Sequence, residues 1–575
     1  MSLLNALLRA ALYTSVFLTV SAFFLAFLLV LSLRFRLSRG RPAQRARLFR
    51  ALGLPVEDTR RVIGFFHPYC NAGGGGERVL WTALAAMQKD EETKDAVFVV
   101  YTGDVGERGE KGQMSKEGIL ARVLARFDID LDLRTLHFVP LPSRYLVHDS
   151  TWPRFTLIGQ SLGSVVLAWE GLAGREEGVV PDYWIDTMGY AFAYPLIKYL
   201  CPGVPMGSYT HYPTISTDML RRIRLRQAGH TNPSRVARSW LLSNLKLGYY
   251  TLFASLYSWS LSRADVIMVN STWTHRHVAS LLSLPPPPSP ASTSPPSLSS
   301  SPPTSSKVRT VYPPCDTSSL SFLPLSRPTL SDSPSSEKVT ILSLAQFRPE
   351  KEHPTQLLAL SKLFQLEPSW RGKVRLVCAG SVRGKEDEAR VESLKSLAGE
   401  LGLTVGEDGE EGNVKFEVNK PWEEIRRFMG SASVGLHTMV DEHFGITVVE
   451  FQAAGLLTLA HASAGPLLDI LVPYSPSSSN IASGPTGFLA PPPSSSPSPS
   501  PAPLSHSDLA SSFALQLRSI LLLPPLKQLE IRARGREAAR ERFGESVFEG
   551  EWGRGWRELQ ALGGGGGEGG GKKEQ

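Results

Sequence analysis

From residue 61 onward the apolar residues of this chain fall into two alternating patterns. Short unbroken runs, among them "RVIGFF" (61–66), "DAVFVVYT" (95–102), "TLHFVPL" (135–141), "FTLIG" (155–159) and "ADVIMVNS" (264–271), predict strands. "DYWIDTMG" (182–189), "VPMGSYTHYP" (204–213) and "VRTVYPP" (308–314) extend the series. Between them, "GERVLWTALAAMQK" (76–89), "SVVLAWEGLA" (164–173) and "TWTHRHVASLL" (272–282) return apolar residues every three or four positions, as one face of a helix does. Strands that are apolar throughout are covered on both faces. With helices between them they predict a parallel α/β sheet.

The alternation then starts again. "KVTILSLAQF" (338–347), "KVRLVCAG" (373–380), "NVKFEV" (413–418), "SVGLHT" (433–438) and "LLTLAHA" (456–462) are separated by helical stretches at 353–366, 386–400, 422–430 and 446–454. The fold class expected is therefore α/β, with two Rossmann-like domains at 61–316 and 338–506, joined by a linker at 317–337. Residues 507–562 read as helices that pack back across the pair. Pro/Ser tracts at 285–306, 324–336 and 474–504, and the Gly-rich tail 563–575, are too poor in apolar residues to order themselves and read as insertions, linker and solvated end.

The chain's start changes the picture. After a short flank (1–10), "ALYTSVFLTVSAFFLAFLLVLSL" (11–33) carries no charge and is long enough as a helix to cross about 30 Å of hydrocarbon. It is longer than the apolar core of a cleaved signal peptide, so an uncleaved membrane anchor is expected. The following segment 34–60 opens on an arginine-dense run without acids (34–50), which contributes much of the net charge of +7. Alone, such a run suggests nucleic acid. Directly after a span it marks the cytosolic side instead, so no nucleic-acid partner is expected. Cys70, Cys201, Cys315 and Cys378 are scattered and form no CxxC pair, which suits a reducing compartment and gives no metal site.

Four stretches carry candidate chemistry. In "FFHPYCNAGGGGERVL" (65–80) a strand ends, four glycines follow and a helix begins. Glycines let a ligand approach the backbone, and the helix start offers free N–H groups to an anion. "AQFRPEKEHP" (345–354) holds the corresponding place in the second domain, where Arg348 and Lys351 suit a diphosphate without a metal. "SYTHYPTISTDML" (208–220) is a strand that exits at His211. "DEHFGITVVEFQAAG" (441–455) puts Glu442 and Glu450 on either side of a Phe-Gly-Ile turn. Carboxylates that accept from hydroxyls, around a helix start that attracts an anion, suit a nucleotide sugar.

Three further stretches suggest other chemistry. "IGQSLGS" (158–164) fits a hydrolase nucleophile elbow around Ser161, with Asp186 and His211 following in order, yet that reading leaves the second domain without a purpose. "FDIDLDL" (127–133) holds overlapping DxD patterns but alternates as an amphipathic surface does. "RSWLLSNLKLGYYTLFASLYSWSLS" (238–262) reads equally as a buried inter-domain helix and as a segment in the membrane interface.

Taken together, "HPYCNAGGGGERVLW", "GQSLGS", "DTMGYAF", "HYPTIST", "VYPPCD", "QFRPEKEHP" and "HTMVDEHFGITVVE" resemble, in order, the retaining glycosyltransferases of the glycosyltransferase-B fold. Within them they resemble the dolichol-pathway α-1,2-mannosyltransferases, over roughly residues 60–560. The resemblance implies transfer of two successive mannoses from GDP-mannose to a trimannosyl-chitobiosyl-diphosphodolichol. The setting it implies is the cytosolic face of the endoplasmic reticulum membrane, without a metal or other cofactor and with room for a complex of pathway enzymes. It places Glu442 on the hydroxyls of the transferred sugar and Glu450 on the ribose. Phe444, Gly445 and Ile446 fall along the donor, Lys351 and Arg348 on its diphosphate, His211 beside the sugar, and Gly74 and Gly75 near the reaction centre. Many relatives carry arginine where this chain has Gln346, so Arg348 is expected to substitute. The resemblance leaves open another lipid-linked-sugar transferase of the same fold.

Overall fold

The computed structural model describes residues 2–106, 113–174, 177–225, 239–283, 307–331, 338–406, 411–475, 482–491 and 506–563. The tract 285–306, most of 474–504 and the tail beyond 563 lie outside the described residues, as do 332–337.

Two parallel sheets form the frame. The first contains β1 (Val62–Phe66), β2 (Val97–Thr102), β3 (Leu136–Pro140), β4 (Tyr183–Asp186), β5 (Met206–Thr210), β6 (Val266–Val269) and β7 (Val308–Thr310). Its order is β3-β2-β1-β4-β5-β6-β7. The second contains β8 (Val339–Leu344), β9 (Val374–Gly380), β10 (Val414–Val418), β11 (Val434–His437), β12 (Leu457–His461) and β13 (Phe488–Ala490), in the order β10-β9-β8-β11-β12-β13. In each sheet the order reverses at the first strand, between β1 and β4 and between β8 and β11. The crevice outside the carboxyl ends of the strands at such a reversal is where α/β sheets bind ligands.

Helices cover both faces. Before and within the first domain lie α1 (Ser2–Ala51), α2 (Gly75–Lys89), α3 (Lys116–Phe127), α4 (Thr156–Ala173), α5 (Tyr194–Leu200), α6 (Thr217–Arg224), α7 (Trp240–Leu261) and α8 (Thr272–Leu282). The second domain has α9 (Thr317–Ser321), α10 (His353–Leu366), α11 (Lys385–Glu400), α12 (Trp422–Ser431) and α13 (Ile446–Ala453). The chain ends on α14 (His506–Leu521), α15 (Pro525–Phe543) and α16 (Glu545–Gly563). The last of these returns to the first domain, where Phe548, Trp552, Trp556 and Leu559 join a core with Ile185, Tyr209 and Met268.

Three elements differ from the reading of the sequence. "FTLIG" is no strand: it opens α4, whose Ile158 and Leu162 face outward. A five-residue apolar run has no periodicity to tell the two apart. Within the tract 474–504, residues 488–490 form β13, paired in parallel with β12. Three apolar residues among prolines and serines leave no visible pattern. The segment 238–262 does not lie between the domains. As α7 it packs Phe253, Ala254, Tyr257 and Leu261 into the first domain and leaves Trp240, Leu245 and Leu252 exposed.

The expected span (11–33) and the arginine run (34–50) form one helix, α1, long and apolar enough to cross a membrane, and the rest of the segment to 60 is irregular. The second half of α1 belongs to the first domain. Leu37, Leu48 and Phe49 are buried there, and Gln44 Nε2 donates to the Leu172 carbonyl (2.9 Å). Asp182 accepts from Arg41 (2.6 Å), from Arg45 (3.0 Å) and from the Val62 amide (2.7 Å), tying α1 to the start of β1. Part of the arginine run is thus spent on the fold.

Candidate active site

The loop from β1 to α2 carries the glycines, and Glu77 shapes it. Its carboxylate accepts from the Ala72 amide (2.9 Å) and from the Gly74 amide, the N3-to-N-cap half of a capping box whose other half a glycine cannot supply. Burial raises the Glu77 pKa, and the two amides oppose that rise. The loop is crossed closely from the other domain. A Cβ on Gly75 would fall 2.6 Å from Ile446 Cδ1, so any larger residue there would have to displace the end of the Ile446 side chain. One on Gly76 would fall 3.4 Å from His211 Nε2. The first turn of α13, the glycine loop and His211 therefore meet.

His211 follows β5. Its Nε2 lies 3.0 Å from the Thr187 carbonyl, which only an N–H can satisfy, so Nδ1 keeps its lone pair. Burial, with a smaller effect from nearby His443, lowers its pKa to about 4 against the Thr187 carbonyl, and the ring is neutral near pH 7.

On the facing side, β11 leads through Glu442 to the start of α13. Gly445 holds φ at +108°, a left-handed conformation that glycine adopts without strain, and the helix begins at Ile446. Glu442 Oε2 accepts from Lys351 Nζ (2.7 Å) and lies 3.1 Å from His437 Nε2. Burial alone would raise this carboxyl, but Lys351 and His437 outweigh it and hold the pKa well below the usual range. Glu442 is thus ionised and fixed. Glu450 sits just over one turn into α13, buried, with Arg78 and Asp316 nearby. Burial raises its pKa to about 7, with Arg78 opposing and Asp316 adding to the rise. Arg78 is itself ion-paired with Glu545 of α16 (2.7 Å).

The family models and relatives agree on one assignment. Residues 60–282 match the ALG11 mannosyltransferase N-terminus, and residues 330–497 match glycosyl transferases group 1. The chain is 43% identical over 490 residues to the GDP-Man:Man(3)GlcNAc(2)-PP-Dol alpha-1,2-mannosyltransferase of Xenopus tropicalis, covering 85% of each chain. It is 42% identical over 500 residues to the Homo sapiens protein of that name, again with 85% of each covered. The chain belongs to the ALG11 mannosyltransferase family. Solved structures share the glycosyltransferase-B fold. An alpha,alpha-trehalose 6-phosphate synthase from Burkholderia multivorans superposes with a TM-score of 0.55 at 14% identity, covering 88% of this chain and 99% of that one. A sucrose-phosphate synthase from Thermosynechococcus elongatus gives 0.53 at 14%, covering 87% and 100%.

Against that family frame, the expected site residues divide. Gly74, Gly75, His211, Lys351, Glu442, Gly445 and Ile446 come together at the cleft. Arg348 lies at the turn before Lys351, 4.0 Å from Glu350. Lys351, expected on a diphosphate, is engaged with Glu442 and with Met439 Sδ (3.1 Å). The Phe444 ring is buried in the second domain between Tyr312 and Phe543, so only its backbone is left toward the cleft. Ser161 lies within α4, its hydroxyl donating to the Leu157 carbonyl (2.6 Å). Asp186 accepts from the amides of Met188, Gly189 and Tyr190, so the hydrolase reading fails on geometry. No group of side chains able to hold a metal occurs among the described residues.

The sequence reading missed Glu77, His437, Arg78 and two further arginines at the loop. A Cβ on Gly73 would lie 2.6 Å from the Arg126 guanidinium, and Arg383 lies near Arg348, Glu77 and Arg126. Glu77, at the third position of a helix with a glycine cap, had a readable signal. The others depend on which strands and helices become neighbours.

Proposed function

We propose that the chain transfers mannose from GDP-mannose to a dolichol-diphosphate-linked trimannosyl core, with retention and an α-1,2 linkage, making two additions in succession. The names of the Xenopus and human relatives state this donor, acceptor and linkage. The observation that carries the reading in this chain is Glu442. It is held ionised by Lys351 and His437 at the start of α13, where the glycine loop and His211 converge on it.

In this reading Glu442 accepts from hydroxyls of the mannose, and Glu450 accepts from the ribose. The acceptor hydroxyl bonds to the anomeric carbon as the bond from that carbon to the diphosphate oxygen breaks. The electron pair leaves with GDP, which also takes the hydroxyl proton. Arg348, Lys351 and the N–H groups at the start of α13 meet the growing negative charge, so no metal is required. With a diphosphate present, Lys351 bridges it to Glu442. His211, neutral and fixed by Thr187, faces the sugar. The anchor in α1, with arginines after it, supports residence in the endoplasmic reticulum membrane with the domains on the cytosolic side.

Incubating the detergent-solubilised protein with radiolabelled GDP-mannose and a lipid-diphosphate-linked trimannosyl core tests this. Label enters the lipid fraction and continues to do so in excess EDTA. Loss of transfer on chelation, restored by Mn²⁺ or Mg²⁺, overturns the metal-free mechanism.

A further inference from the structure

His211 and Glu442 stand on different domains, yet each is followed by a ring, and these rings stack on one another. The Tyr212 and His443 rings lie 4.1 Å apart at 20°. Trp273, in the first turn of α8, stacks on the same imidazole at 5.0 Å and 27°, and lies near parallel to Tyr212 (10°). His277 backs Trp273 at 3.9 Å. Beside this stack a second tie crosses the cleft. Asp469 of the second domain accepts from the Thr272 amide at the start of α8 (3.0 Å) and from the Tyr312 hydroxyl (2.9 Å). Tyr312 stacks in turn on Phe444 (5.6 Å).

The residues from Glu442 to Gly445 therefore divide the work. Glu442 faces Lys351, His443 reaches the first domain, Phe444 anchors the loop in its own core, and Gly445 turns the chain into α13. We propose that the stack of Tyr212, His443 and Trp273 is a clasp that registers the two domains and sets the spacing of His211 from Glu442. Flat rings held face to face resist sliding less than tilting and separation, so the clasp fixes orientation while small adjustments remain open. Direct linkage through one peptide bond on each side transmits that register to both side chains. His443 and Tyr212 are positioning residues, and rings rather than protons carry the effect. The part of the proposal that concerns transfer rests on the mannosyltransferase reading. The part that concerns domain register does not.

The test uses the full chain in detergent, with spin labels on Glu91→Cys in the first domain and Glu392→Cys in the second. Both positions are exposed, and the native cysteines are buried. Electron–electron distance measurement should give a narrow distribution for the otherwise native protein and a broad one for His443→Ala. His443→Phe should keep it narrow. In mannosyl transfer His443→Ala should lose roughly tenfold in kcat, as expected for removing two ring contacts. GDP affinity should not change, and His443→Phe should recover most of the rate. Tyr212→Ala, which leaves Trp273 on His443, should lose less than His443→Ala, and the double variant should be no worse than His443→Ala alone. An unchanged distance distribution in both alanine variants overturns the clasp. So does a phenylalanine variant as impaired as alanine, or additive losses in the double variant. If the native protein transfers no mannose while the distance results hold, the clasp stands and the substrate reading falls.

Discussion

Glu442 and Glu450 are eight residues apart and are shifted in opposite directions. Lys351 and His437 keep the first ionised, whereas burial carries the second to about pH 7. If Glu442 meets the sugar as it leaves and Glu450 holds the nucleoside, the first acts on turnover and the second on donor binding. A hydrogen bond to a charged group is worth roughly 1.5–3 kcal/mol, or about ten- to a hundredfold. Glu442→Ala should lose that factor mainly in kcat, and Glu450→Ala mainly in donor KM, with calorimetry showing weaker GDP binding only in the second. Equal losses of GDP affinity contradict the division.

The raised pKa of Glu450 adds a pH dependence. Ribose hydroxyls donate more strongly to a carboxylate than to a neutral carboxyl, so binding favours loss of the proton that the empty site holds below about pH 7. GDP-mannose affinity should fall by up to about tenfold per pH unit as the pH drops from 7 towards 5.5. Titration in two buffers of different ionisation enthalpy should show proton release near pH 6.5. Glu450→Gln should abolish both effects. For stability without ligand the sign is opposite: the folded state favours the proton, so that contribution is present below pH 4.5 and is lost as the pH rises through about 7. The glutamates themselves were legible in the sequence, since their spacing around a glycine turn is local. Their different environments were not, because Lys351, His437 and Arg78 reach them only through the fold.

At the scale of elements, the strands were legible wherever both faces are buried, since such strands leave unbroken apolar runs. The start of α4 and β13 were not, one being too short a run to show a period and the other hidden among prolines and serines. The arginine run after the span shows a different limit. Its charge marks a membrane flank, but the docking of Arg41 and Arg45 on Asp182 depends on a residue far along the chain. Asp182→Ala removes both guanidinium partners and the acceptor of the Val62 amide, and should destabilise the first domain by about 1–3 kcal/mol. Thermal unfolding in detergent checks this. Deleting residues 1–33, whose described side chains are mostly exposed apart from Val30 and Leu33 at the core's edge, should lower the midpoint only slightly, whereas deletion through residue 51 also removes Leu48 and Phe49 from the core and should lower it much further. An Asp182→Ala midpoint equal to that of the native chain contradicts the docking of α1.

For the whole molecule, two sheets that reverse order at their first strands put four loops at one cleft, and α16 closes the circuit by returning to the first domain. The two-domain plan was readable because the β/α alternation repeats. The cross-cleft contacts were not, because Gly75 with Ile446 and Tyr212 with His443 are joined only when the domains face one another. The central claim is that this cleft builds α-1,2-linked mannose onto a lipid-linked core. Mass spectrometry of the product from GDP-mannose and a lipid-diphosphate-linked trimannosyl core tests it most directly. The account predicts species heavier by one and then two hexoses, both removed by an α-1,2-specific mannosidase. Products that resist that enzyme, or extension from another nucleotide sugar but not from GDP-mannose, contradict it.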